Sequence, residues 1–197
     1  MMIRNIPLRH ELKYLITPAE LTVLRNTLAP LMQLDQGHEY LIRSLYFDTL
    51  DESDYYDKLN GLELRRKLRL RCYGPEADFA MLEMKQKQNV QQRKRSLRIS
   101  REDALRLIRG DYAPLLRYRE PFAAECYALM HTRCYRPRTI VEYRRMAFIA
   151  KENNIRVTFD HRIEATQSSF GLFDPHLLMT PAMDWSQVVM EVKYNGF

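Results

Sequence analysis

The sequence predicts an α+β fold built on a largely antiparallel sheet. Three observations lead there. Stretches at 8–16, 40–48, 62–74, 79–87, 93–99, 138–150, 155–164 and 188–194 have strand character, several with period-two alternation of apolar and charged residues. Helix signals cluster near the beginning and the middle instead of recurring between successive strands, which argues against a βαβ repeat. Composition is globular, with 46% hydrophobic and 28% charged residues in 197, enough for one sizeable domain.

The first strand, LRHELKYLI at 8–16, sets Arg9, Glu11 and Lys13 on one face and Leu8, His10, Leu12, Tyr14 and Ile16 on the other. Thr17-Pro18-Ala19-Glu20 then reads as a helix start. Thr is an N-cap, Pro suits the first turn, and Glu20 closes a capping box. Leu21, Leu24, Leu28 and Leu31 give that helix an apolar stripe for the core. YLIRSLYFD at 40–48 is the second strand, and the acidic, Tyr-rich stretch 49–60 reads as a loop with a helical turn. In 62–74, Leu64, Leu68, Leu70 and Cys72 alternate with Arg65, Lys67, Arg69 and Arg71. FAMLEMKQK at 79–87 places Glu83, Lys85 and Lys87 together, and 93–99 offers a further strand. Ser100 caps a short helix ending before Gly110, and a helical stretch over 113–133 restarts at Pro121. Strands return at 138–150, 155–164 and 188–194.

Several function classes lose support here. No apolar run approaches the ~20 residues of a membrane span, and the first residues lack a signal-peptide core. Cys72, Cys126 and Cys134 form no C-x-x-C pair, so free thiols in a reducing, cytoplasmic setting are expected. No convincing Ser-His-Asp or Cys-His set exists. Net charge is +6, and its placement matters more than its size. Arg65, Arg66, Lys67, Arg69 and Arg71 cluster, followed by Lys85, Lys87, Arg93, Lys94 and Arg95, which implies an anionic partner. Without a recognition helix or an RNP-like motif, nucleic acid is not the expected one.

One pattern recurs: Glu-x-Lys on an alternating strand, as Glu11-Leu12-Lys13, Glu83-Met84-Lys85 and Glu191-Val192-Lys193. A spacing of two places both charges on one face. Any single such face is ordinarily solvated. Several together fit a sheet curled into a barrel with the charged faces inward. A dry interior of that kind is forbidden by the cost of burying charge, so the lumen would be wet and polyanion-binding. Arg forks match phosphate oxygens, and Glu would order Lys or hold a divalent cation.

The motifs RHELKYLI (9–16), YLIRSLYFDT (40–49), LRLRCYG (68–74), LEMKQK (82–87), EYRRMAF (142–148), IRVTFD (155–160) and MEVKYNG (190–196), in this order, resemble the VTC domain. That domain is the polyphosphate-polymerase branch of the CYTH-like triphosphate tunnel metalloenzymes. The resemblance runs nearly end to end. It implies a single domain over 1–197, an antiparallel tunnel barrel with flanking helices, lacking the family's C-terminal helix with its Ser-Lys-Tyr-like ending. It also implies transfer of the terminal phosphoryl of ATP onto inorganic polyphosphate, assisted by Mn or Mg.

By motif position, Lys13, Arg69, Arg71, Lys85 and Arg145 would be the catalytic phosphate binders. Arg9, Arg43, Lys87, Arg156 and Lys193 would bind substrate. Glu191 would hold the metal, with Glu11 and Glu83 as further candidates. Where triphosphatases of the superfamily carry Glu-x-Glu-x-Lys, this chain has Arg9-x-Glu11-x-Lys13. That exchanges a metal ligand for a phosphate binder and favours polymer handling. A tripolyphosphate or nucleoside-triphosphate hydrolase, and a non-catalytic polyphosphate or inositol-phosphate binding module, are the competing readings.

Residue parity raises a conflict. Strict alternation in 139–149 sets Arg145 with Val141 and Tyr143, apart from Glu142 and Arg144, and a β-bulge would reconcile this with an inward Arg145. Asp160, alternating with Arg156, is expected to ion-pair with it across the wall. Tyr55, Tyr56 and Lys58 read either as contacts to a nucleotide base or phosphate or as a packed loop. Asp48 reads as a turn aspartate or a metal contact.

Overall fold

The computed structural model describes residues 9–88 and 91–195. Among the described residues, ten strands and four α-helices follow one another. They are β1 (Arg9–Ile16), α1 (Pro18–Leu28), β2 (Gln33–Leu34), β3 (Tyr40–Asp48), α2 (Ser53–Leu59), β4 (Leu64–Cys72), β5 (Phe79–Gln88), β6 (Gln91–Ser100), α3 (Arg101–Ile108), α4 (Pro121–Thr132), β7 (Arg136–Ile149), β8 (Arg156–Thr166), β9 (Thr180–Pro181) and β10 (Val188–Asn195). Hydrogen bonding orders the main strands β1-β10-β8-β7-β3-β4-β5-β6, with β2 beside β7 and β9 beside β8. The pairs β1–β10, β10–β8, β2–β7, β3–β4, β4–β5 and β5–β6 are antiparallel.

The chain divides into two compact units, residues 1–41, 142–164 and 181–197, and residues 42–141 and 165–180. In the first unit, α1 opens as its sequence dictates. Thr17 N donates to the Glu20 carboxylate at 2.7 Å, and Glu20 N donates back to Thr17 Oγ1 at 3.2 Å. The apolar edges of β1, β8 and β10, including Ile16, Val157, Phe159, Val188, Met190 and Val192, pack with Leu21, Leu24 and Leu28 of α1. The helix stops at Leu28, so Leu31 leaves the stripe and stands 72% exposed. Pro30 has no N–H to continue the ladder.

In the second unit, Leu45, Phe47, Leu68, Leu70, Cys72, Leu82, Met84, Leu97 and Ile99 form one apolar layer beneath α3 and α4. Ser100 caps α3 by accepting from Asp103 N at 3.1 Å. Helix α2, expected as a single turn, is anchored by Asp48. Its carboxylate accepts from Thr49 N, Asp54 N and Tyr55 N at 2.7, 3.0 and 2.9 Å. Asp48 is thus the backbone anchor of a turn. The stretch expected to be helical over 113–133 resolves into a 3-10 turn at Ala113–Arg117 and α4. Cys72 and Cys126 are buried and Cys134 is exposed, all as free thiols. Among the described residues, no helix is long and apolar enough to cross a membrane.

Candidate functional site

Alternation gives each unit one charged sheet face. In the second unit, Tyr46 stands opposite Arg69 and Ser44 opposite Arg71. Lys67 faces Lys85, Arg69 faces Glu83, and Arg65 faces Lys87. On the far side of β5, Ser96 is opposite Glu83 and Lys94 opposite Lys85. The apolar partners of the same strands, Leu68, Leu70, Leu82 and Met84, are wholly buried, which fixes the parity of the charged set.

Glu83 organises this face. It is only 2% exposed and meets three cations: Arg69 Nη2 at 2.8 Å, Arg71 Nη2 at 2.7 Å and Lys94 Nζ at 2.7 Å. Arg69 also donates to Tyr46 Oη at 3.0 Å. Burial works against the charge on Glu83, but Arg69, Lys94 and Arg71 together hold its carboxyl below the usual carboxylate range. Lys94 is lowered by its own burial, with Arg71 and Arg69 pushing the same way against Glu83. One carboxylate thus restrains three cations, with Lys85 exposed beside them. The excess is positive and suits an anion. A divalent cation would be repelled, so Glu83 is not placed to be a metal ligand.

In the first unit the charges balance. Lys13 stands opposite Glu191, Glu11 opposite Lys193, and Lys193 in turn opposite Arg156. Lys13 Nζ lies 3.4 Å from both Glu11 and Glu191, while Lys193 Nζ bonds Glu191 and sits 3.8 Å from Glu11. Burial opposes the charge on Glu191. A proton shared with Glu11 and a hydrogen bond from Lys193, with the charges of Lys193 and Lys13, nevertheless bring it down to about 2. Burial likewise opposes the charge on Lys13, yet Glu191 and Glu11 raise it above the usual lysine value. Thr158, opposite Glu191, keeps a buried hydroxyl with no hydrogen-bond partner among the described residues. Two carboxylates and a hydroxyl are hard oxygen donors of the kind Mg²⁺ and Mn²⁺ take, the remaining positions falling to water and phosphate oxygens. Among the described residues, no group of three or more His, Cys, Asp or Glu could hold a metal on its own.

Arg145 shares this unit. Met146 and Phe148 pack in the apolar layer, so plain alternation turns Arg145 the other way, and no bulge has to be invoked. It grips Asp160 bidentately at 2.6 Å through Nε and Nη2. Burial opposes its charge, but Asp160, with Tyr143 and Tyr40 adding, raises it above the ordinary arginine value. Asp160 was expected to pair with Arg156. That arginine instead donates to Asp35 at 2.7 Å and to Tyr40 Oη at 3.1 Å.

Other expectations separate. Arg43 lies on the apolar face opposite Cys72, is 3% exposed, and donates to the carbonyls of Leu172 and Asp174 at 3.1 and 2.6 Å. It braces the core there, away from the charged face expected to bind substrate. Lys87 stands on the charged face at one end of β5. Arg9 opens β1 opposite Asn195, and its side chain lies outside the described residues. Sequence reasoning missed Tyr46 and the role of Lys94. In the run Arg93-Lys94-Arg95 parity is hidden, and only the pairing with β5 shows that Lys94 joins Glu83 while Arg95 turns to Glu125 and the Phe122 ring.

The fold has known relatives. A Hippeastrum protein described as an adenylyl cyclase with a dominant triphosphatase activity has a TM-score of 0.58 at 14% identity, over 96% of this chain and 80% of its own. A Bacillus halodurans protein assigned as an adenylate cyclase has a TM-score of 0.56 at 13% identity, over 96% of this chain and 81% of its own. A Vibrio parahaemolyticus protein with the same assignment has a TM-score of 0.53 at 11% identity, over 96% and 77%. No curated protein sequence matches the chain. The fold class expected from the sequence is therefore the one found: an antiparallel α+β fold, shared with these proteins. Within that class the model of the VTC domain matches residues 8–197, and the chain belongs to the VTC-domain family.

Proposed function

We propose that the protein is a metal-dependent phosphotransferase of the polyphosphate-polymerase type, moving the terminal phosphoryl of ATP onto a polyphosphate chain. The observation that carries this reading is the trio Arg69, Arg71 and Lys94 held by one buried glutamate. Guanidinium groups fixed by a carboxylate are preorganised for phosphate oxygens and need little rearrangement when charge develops on them.

In the reaction, a terminal oxygen of the polymer attacks the γ-phosphorus, the bridging P–O bond to the β-phosphate breaks, and ADP leaves with the electron pair. Such transfers depend on positioning and charge neutralisation more than on covalent chemistry. Arg69, Arg71 and Lys94, with Lys85 alongside, neutralise phosphoryl oxygens. Lys13 and Lys193 pair with Glu11 and Glu191, and Arg145, clamped on Asp160, presents a rigid cation. A bound Mg²⁺ or Mn²⁺ would supply further charge neutralisation, with Glu191 and Glu11 as its protein ligands.

The test is product analysis from γ-labelled ATP with Mn²⁺ or Mg²⁺. The reading expects labelled polymer that disappears in Arg71→Gln. Orthophosphate as the sole product would move the reading to a triphosphate hydrolase, which the triphosphatase activity described for the Hippeastrum relative favours as the second choice.

A further inference from the structure

We propose that β1 is the interaction surface for a second copy of this chain, the two β1 strands pairing antiparallel about a two-fold axis at Leu12. β1 ends the sheet order, and β10 is its one hydrogen-bonded neighbour among the described residues. A strand with one neighbour leaves a row of backbone N–H and C=O groups open to another chain. Glu11, Leu12, Lys13, Tyr14 and Leu15 are exposed one after another, so both faces of the strand meet solvent there. Leu12 and Tyr14, from the apolar face, are 43% and 47% exposed, which an edge strand in water ordinarily avoids. On the same face the apolar surface runs on into a cleft of about 400 Å³ lined by Ile16, Ala19, Glu20, Val23 and Leu24.

Charge selects both the occupant and its register. The segment Glu11-Leu12-Lys13-Tyr14 recurs in β10 as Glu191-Val192-Lys193-Tyr194. Within the chain the two segments pair antiparallel, with Glu11 opposite Lys193, Leu12 opposite Val192 and Lys13 opposite Glu191. His10 stands opposite Tyr194 and stacks on it at 5.0 Å between ring centroids. A second β1 carries the segment that β10 presents, so it fits the open edge of β1 as β10 fits the other edge. With Leu12 opposite Leu12, each Glu11 meets the other copy's Lys13, and each His10 meets the other copy's Tyr14. Opposite charges directly across a strand pair are favourable, and like charges are not. Centring the pair on Glu11 sets two glutamates against each other, and centring it on Lys13 sets two lysines. An odd offset lays one copy's charged face beside the other's apolar face. In the Leu12 register the charged faces of the two copies continue as one surface. This pairing is independent of the chemistry proposed for the site.

The experiment is sedimentation equilibrium on the full chain, joined to disulfide trapping with oxidised glutathione. Trapping compares Leu12→Cys with Leu15→Cys, each in a Cys134→Ser background because Cys134 is an exposed thiol. Wild type is expected to sediment as a monomer–dimer equilibrium. Residues directly opposite in an antiparallel pair have Cα atoms about 4.5–5.5 Å apart, inside the window for a disulfide. Leu12→Cys, on the axis, is therefore expected to form a covalent dimer at least about tenfold faster than Leu15→Cys, whose opposite position is Arg9. Leu12→Lys sets two like charges face to face on the axis and is expected to leave only monomer. If circular dichroism shows that Leu12→Lys has lost its fold, the trapping comparison decides alone. Wild type that stays monomeric at every concentration overturns the proposal. A dimer that a folded Leu12→Lys leaves intact, or equal trapping of the two cysteine variants, overturns it as well.

Discussion

Replacing Glu83 with Gln removes the charge that holds Arg69, Arg71 and Lys94 together, without changing side-chain size. The three cations lie 2.7 to 2.8 Å from a carboxylate that is 2% exposed. Breaking a buried ion pair by removing one partner costs about 3–5 kcal/mol. The arginines are 23% and 15% exposed and Lys94 is half exposed, so water screens part of the repulsion left behind. The low end of the range, about 3 kcal/mol, is the expected loss. Urea unfolding at neutral pH measures it. Saturating tripolyphosphate should restore more stability to the variant than to wild type, because the bare cations attract an anion more strongly. At a hundredfold excess over Kd, a ligand adds about 2.7 kcal/mol. The Mg²⁺ concentration for half-maximal activity should not move. A loss below about 1 kcal/mol, the scale of an exposed pair, would refute the role given to Glu83. A large rise in the Mg²⁺ requirement would instead make it a metal ligand.

Other outcomes follow from the remaining charged groups. Glu191 has a folded value of about 2 against 4.5 for the free group. Its stabilisation is therefore present above about pH 4.5 and lost as pH falls toward 2, on the order of 3 kcal/mol. Glu191→Gln should flatten that part of an acid unfolding curve and raise the Mg²⁺ requirement in the activity assay. Asp54 runs the other way, since burial pushes its carboxyl from 3.8 up to about 6. Ionisation there opposes folding, so stability should fall by roughly 3 kcal/mol as pH rises from 4 through 6. In thermal melts across that range, Asp54→Asn should lose the decline. Asp160→Asn strands Arg145 in a site where it is 15% exposed, and chemical denaturation should show a loss of about 3–5 kcal/mol.

Much of the fold was legible because its strands carry one wet and one dry face. In β4, Leu68, Leu70 and Cys72 alternate with Lys67, Arg69 and Arg71, so parity could be read directly there and the structure keeps it. The Thr17–Glu20 capping box was equally plain, being a contact between residues three apart. Helix α2 was harder, because its anchor, Asp48, precedes Asp54 by six residues and belongs to the preceding strand. Strand β3 hid its faces. It is buried along most of its length, so Arg43 looked as available as Arg69 until pairing with Cys72 set it in the core. Around Arg145, charged neighbours on the opposite face, one of them paired with Glu39, obscured a simple alternation. Lys94 became visible only through its pairing partner, since a run of three basic residues has no internal parity.

Crystals grown with tripolyphosphate and Mg²⁺ give the most direct check on whether Glu83 displays its cations for phosphate. The expected density has phosphoryl oxygens within hydrogen-bond distance of Arg69, Arg71 and Lys94, with Glu83 still bridging them from behind. Tripolyphosphate found only on other surfaces, with this trio making no contact to it, would contradict the account.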